Sequence, residues 1–173
     1  MKLLLLFLII GQTAFGQVHD KGIAPYNIQM NGKDINVTVE NIKKLFEESI
    51  SYISFPRIFW NVCNQDSAYF KKDTLYFYQE MYDSIGLPKP CCAIISWGFY
   101  EPNSFCYVED GECSRNLAVA YPTVKLFTKQ SRVYLDVYNR EQLMDKFRVE
   151  RLFSFQETSL PCISKLLILI RQK

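Results

Sequence analysis

Cys91-Cys92-Ala93-Ile94-Ile95-Ser96-Trp97-Gly98-Phe99-Tyr100 is the stretch from which the fold is read, because Cys91, Ala93, Ile95, Trp97 and Phe99 are all apolar. That alternation is the mark of a buried strand. Just before it, Gly86-Leu87-Pro88 makes a helix stop, since Gly86 can take a left-handed conformation and Pro88 cannot continue a helix. In the segment 73–85 ahead of the stop, Thr74 to Tyr78 alternates like a strand, but the ending decides for a helix capped by Asp73, with Leu75, Tyr78, Tyr82 and Ile85 on one face.

Moving outward, Thr38 is positioned to cap a second helix over Glu40 to Ile53. Ile42, Leu45, Phe46, Ile50 and Ile53 form its apolar stripe, and Pro56 ends it. Ile58 to Cys63 is an apolar, aromatic run that favours a strand. Asp110-Gly111 marks a hairpin turn. Leu117 to Tyr121, Val124 to Thr128, Val133 to Val137, Leu152 to Phe155 and Leu166 to Ile170 read as further strands, and Asn139 with Gln142 reads as the start of a short helix carrying Leu143, Met144 and Phe147. The fold class expected is α+β in a single domain: a mainly antiparallel sheet with two or three helices, the amphipathic one packed on a sheet face, as in a cystatin-like roll.

The first residues suggest export. Lys2, the 8-residue apolar run Leu3 to Ile10 and Ala14-Phe15-Gly16 have the form of a signal peptide over residues 1–16, and the run is far shorter than the roughly 20 residues of a membrane span. Residues 17–33 then read as a loose N-terminal arm, and 34–173 as one domain. Secreted or periplasmic localisation follows, with no integral membrane segment once the leader is removed.

Without Lys2 the remaining 19 basic residues nearly balance 18 acidic ones. With no basic stripe in the sequence, nucleic acid is not expected as a partner. Six cysteines, Cys63, Cys91, Cys92, Cys106, Cys113 and Cys162, imply disulfides behind such a leader. Adjacent strand residues point to opposite faces, so Cys91 and Cys92 should have different partners. Pairing Cys106 with Cys113 across the hairpin leaves Cys63 and Cys162 for them.

The chemistry is limited by what is scarce. The chain has one histidine, His19, in the arm, so catalytic triads and Cys–His pairs lack a base held near a nucleophile. There is no CxxC for a zinc site, and Glu109, Asp110 and Glu112 lack the spaced ladder of a calcium loop and read as a solvated hairpin tip. Neither metal nor cofactor is expected. Trp60, Tyr100, Phe105 and Tyr107, near predicted sheet edges, are the candidate binding aromatics, although core packing is the favoured use of such rings; Trp97 falls on the buried face. Together these features point to an exported, disulfide-stabilised, non-enzymatic module that binds a protein, peptide or glycan. The alternative is a small exported hydrolase using Asp and Glu carboxylates.

Overall fold

The structure, a computed structural model, describes residues 32–50, 58–81, 93–110, 118–155 and 163–173. The expected leader and most of the N-terminal arm lie outside them, as do Cys91, Cys92, Cys113 and Cys162. The strands are β1 Gly32–Ile35, β2 Ile58–Cys63, β3 Thr74–Met81, β4 Ile94–Glu101, β5 Ser104–Asp110, β6 Ala118–Ala120, β7 Thr123–Lys129, β8 Arg132–Asn139, β9 Gln142–Phe155 and β10 Ile163–Arg171. Among the described residues the α-helices are two, α1 Val39–Glu48 and α2 Ala68–Lys71.

Every pairing is antiparallel, and around the sheet the order runs β9-β10-β3-β2-β4-β5-β7-β8. Strand β8 then pairs with β9, so eight strands close into a barrel. β1 continues along β9 beyond β8, and β6 extends the β7 side of β5. The expected α+β roll is therefore corrected to a closed β-barrel. Closure satisfies strand edges that an open sheet would leave unpaired.

Two helix expectations fail for the same reason. Residues 74–81 form β3, whose Leu75 and Phe77 enter the core beside Gln79 while Tyr76 and Tyr78 face outward into a separate cluster with Leu166 and Phe155. Leu75 and Tyr78 share a helical face but lie on opposite faces of a strand, and pairing with β2 and β10 selects the strand. Likewise Asn139 and Gln142 pair across a tight turn at the base of a β8–β9 hairpin instead of capping a helix.

The helix that does form is shorter than expected and packs elsewhere. Thr38 is its N-cap, with Oγ1 accepting from the Asn41 backbone N–H at 3.1 Å. Ile42, Leu45 and Phe46 join the same core as the inward residues of the strands, so α1 closes one end of the barrel and does not lie on an outer sheet face. Phe46 stacks on Phe99 at 4.1 Å between ring centres.

Two hairpin turns and the approach to α2 hold non-glycine residues in the left-handed region. Gln130 and Ser131, between β7 and β8, have φ of 50° and 60°, and Arg140 in the next hairpin has φ of 57°. Asp66 and Ser67, ahead of α2, are also left-handed, at 55° and 60°. A left-handed backbone brings Cβ close to the carbonyl oxygen, so each such side chain is held there at a cost.

Cys63 is disulfide-bonded. Cys106 on β5 is a half-buried free thiol whose pKa is pushed up by burial, which corrects the expected Cys106–Cys113 bridge. Among the described residues no helix is long and apolar enough to cross a membrane.

Candidate functional site

Alternation decides what faces the barrel axis. Trp60, Phe77, Ile95, Trp97, Phe99, Phe105, Leu135, Phe147, Leu167 and Leu169 share one core. Trp97 lies 4.4 Å from Phe77, 4.7 Å from Phe105 and 6.2 Å from Phe147 between ring centres, so aromatic side chains span the interior from wall to wall. Rings at such separations fill space as a close-packed core does. A recess of about 20 Å³, room for about one water, is lined by Val62, Cys63, Ala68, Lys72 and Leu75 between β2, α2 and the start of β3.

At the α1 end, Ser49 is fully buried and its hydroxyl makes three hydrogen bonds. Its Oγ donates to the Leu45 carbonyl at 2.8 Å and accepts from Trp60 Nε1 at 3.1 Å and Gln79 Nε2 at 3.0 Å. Outside, Lys165 Nζ donates to Glu48 Oε2 at 2.8 Å, tying the helix to β10 and lowering the Glu48 pKa.

The α2 end is polar. Arg171 Nε lies 3.1 Å from Asp145 Oδ1 off the donor direction, which makes the contact an ion pair without a hydrogen bond. Its Nη1 donates to the Phe70 carbonyl at 3.1 Å, and the guanidinium lies over Tyr69 and Phe147. Tyr69 donates to Asp145 Oδ2 at 3.3 Å. Burial pushes the Asp145 carboxyl up, opposed by the charge of Arg171 and the hydrogen bond from Tyr69. Burial also raises Tyr69 and Tyr107, with the charge of Asp145 acting in the same direction on both. Asn64, buried behind them, donates to Glu109 Oε1 at 2.8 Å and accepts from the Tyr69 backbone N–H.

The outer wall of β7, β8 and β9 has a different character. Register places Lys129 and Arg132 in one row, Phe127, Tyr134 and Arg148 in the next, and Lys125, Asp136 and Lys146 in a third, where Asp136 is buried. Lys125, Lys129, Arg132 and Lys146 are exposed, while Val124, Val133, Val137, Phe147 and Val149 on the opposite parity fill the core. The Phe127 and Tyr134 rings are stacked at 5.6 Å and 15°. Arg148 Nη2 meets Glu150 Oε2 at 2.6 Å.

Of the candidate aromatics, Trp60 and Phe105 are 1% and 0% exposed and are corrected to core residues. Tyr107 is half-buried at the α2 end. Tyr100 alone of the four is exposed, at 42%, with its ring 6.3 Å from that of Tyr121. The structure does not gather these four into one surface. Sequence reasoning missed the Asp145–Arg171 pair, whose members are far apart in the chain, and the wall, whose signal was the alternation Lys125-Phe127-Lys129. Compared with protein-family models, curated proteins and solved structures, the chain matches none.

Proposed function

We propose that the protein is an exported, disulfide-stabilised, non-enzymatic binding module that engages a protein, peptide or glycan through its outer surface. The observation that carries this reading is the filled interior. Rings spanning the barrel from wall to wall leave the axis to the core, in contrast to barrels that hold a small ligand inside. A closed barrel is also stiff, so little conformational entropy is lost when its surface makes contact. The test is capture of a partner from the extracellular or periplasmic fraction by the oxidised chain. Saturable capture without turnover supports the reading.

The alternative is a hydrolase working through carboxylates, and one observation favours it: the raised pKa of Asp145, caused first by burial, has the direction expected of a general acid. A library of polysaccharides and peptides tests it directly. Turnover that disappears in Asp145→Asn while the fold is retained would replace the binding reading with the enzymatic one.

A further inference from the structure

We propose that the outer wall of β7, β8 and β9 binds an acidic polysaccharide, its acid groups held by Lys125, Lys129, Arg132 and Lys146 and a sugar face resting on Phe127 and Tyr134. The proposal rests on the binding reading above and names its ligand class.

Geometry supplies the first reason. Neighbouring strands are about 5 Å apart and alternate residues along one strand about 7 Å apart, so the three rows repeat on the scale of a sugar ring. The four named cations are exposed and form no ion pair among the described residues. The stacked Phe127 and Tyr134 rings lie in the row between Lys129–Arg132 and Lys125–Lys146, giving an apolar step with positive charge on both sides.

Charge complementarity supplies the second. The eight positions carry five cations and one carboxylate, the buried Asp136, a positive surplus in a nearly neutral chain. An anionic lipid surface presents acid groups but no sugar face to the rings, and a nucleic acid duplex turns its bases inward away from them. An acidic polysaccharide presents acid groups to the cations and C–H faces to Phe127 and Tyr134.

The test is titration of the purified, oxidised full chain with polygalacturonate and heparin at several salt concentrations, with dextran, single-stranded DNA and phosphatidylserine vesicles as competitors. Binding to one or both acidic polysaccharides is expected, weakening as salt rises, without binding to dextran; which one binds distinguishes carboxylate from sulfate recognition. The double substitution Lys129→Glu and Arg132→Glu should weaken it about tenfold or more and flatten the salt dependence. Lys43→Glu with Lys44→Glu, the same charge change on exposed α1 positions, should leave it within about twofold, because separated exposed charges are screened. Phe127→Ser should weaken binding about tenfold with the salt slope unchanged. Circular dichroism establishes that each variant is folded.

Equal loss in the two double variants, or tighter binding of DNA or vesicles, would overturn the assignment. If neither polysaccharide binds while a partner is still captured from the native fraction, the assignment falls and the binding reading stands. Cleavage of a bound polysaccharide overturns both.

Discussion

The two ends of the barrel are closed by different physics. At one, α1 buries Ile42, Leu45 and Phe46 against strand residues, and its polar anchor, Ser49, is out of reach of solvent. At the other, α2 brings Tyr69 to a partly solvated Asp145–Arg171 pair, with side chains 22% and 15% exposed. An apolar plug depends on shape and volume and is indifferent to pH. A charged clamp depends on protonation and on keeping both partners, because the loss of one leaves the other desolvated and uncompensated.

The largest contrast should come from the plug. Phe46→Ala removes a ring stacked on Phe99 and edge-on to Trp60, and should cost about 3 to 5 kcal/mol in urea unfolding. The effect should be the same at pH 5 and pH 8. A loss under about 1 kcal/mol would show that the end relaxes around the gap and that the plug is not rigid.

At the clamp, Arg171→Leu should cost about 2 to 4 kcal/mol at pH 7, less than a fully buried pair because water reaches both side chains. Its mark is pH dependence. The Asp145 pKa is raised in the folded state, so the fold binds that proton more tightly than the unfolded chain does. Its contribution to stability is fully present below the ordinary carboxylate value and is lost as pH rises through the raised folded one. Removing Arg171 should steepen this decline; an unchanged pH profile would mean that the pair is not coupled.

Ser49→Ala sharpens the comparison inside the plug. It leaves the Trp60 indole and the Gln79 amide without their buried acceptor, and should cost about 1 to 3 kcal/mol. The hairpin between the ends offers a gain: Gln130→Asn with Ser131→Gly places residues suited to positive φ in the β7–β8 turn and should stabilise by about 1 kcal/mol. Smallest is Lys165→Ala, at under about 1 kcal/mol, because Glu48 is exposed and its pair with Lys165 is screened by salt. Its sign is opposite to that of the clamp. The Glu48 pKa is lowered, so this contribution is present above the ordinary carboxylate range and is lost as pH falls through the folded value.

How far the sequence was legible can be read element by element. β8 stands where period-two alternation puts it, β2, β7 and β10 where apolar, β-branched or aromatic runs put them, and Thr38 caps α1 as its side chain suggested. Local signals failed where two periods coincide. Leu75, Tyr78, Tyr82 and Ile85 mark a helical face as well as Thr74 to Tyr78 mark a strand, and pairing with β2 and the distant β10 breaks the tie. Closure was out of reach for the same reason, since no local pattern says that β3 meets β10, about 90 residues further along the chain. Of the site, the wall's alternation was present in the sequence but its three rows exist only after register is set. The clamp needs Tyr69, Asp145 and Arg171 from separate segments.

The strand order has a consequence for how the molecule comes together. From β4 to β10 the barrel strands pair with their predecessors along the chain, a ribbon of hairpins that can zip locally. β2 and β3 arrive as a pair that must wedge between the two edges of that ribbon, and the β3–β10 seam joins residues 74–80 to residues 163–170. Loop-closure entropy makes such a distant junction the slow one. In pulse-labelled refolding, amides of β7 and β8 should be protected before those of the β3–β10 seam. Simultaneous protection would mean that the ring shuts in a single cooperative step. Until the wedge is seated, the ribbon presents two open edges, and in that interval a second chain competes with the first for the same hydrogen bonds.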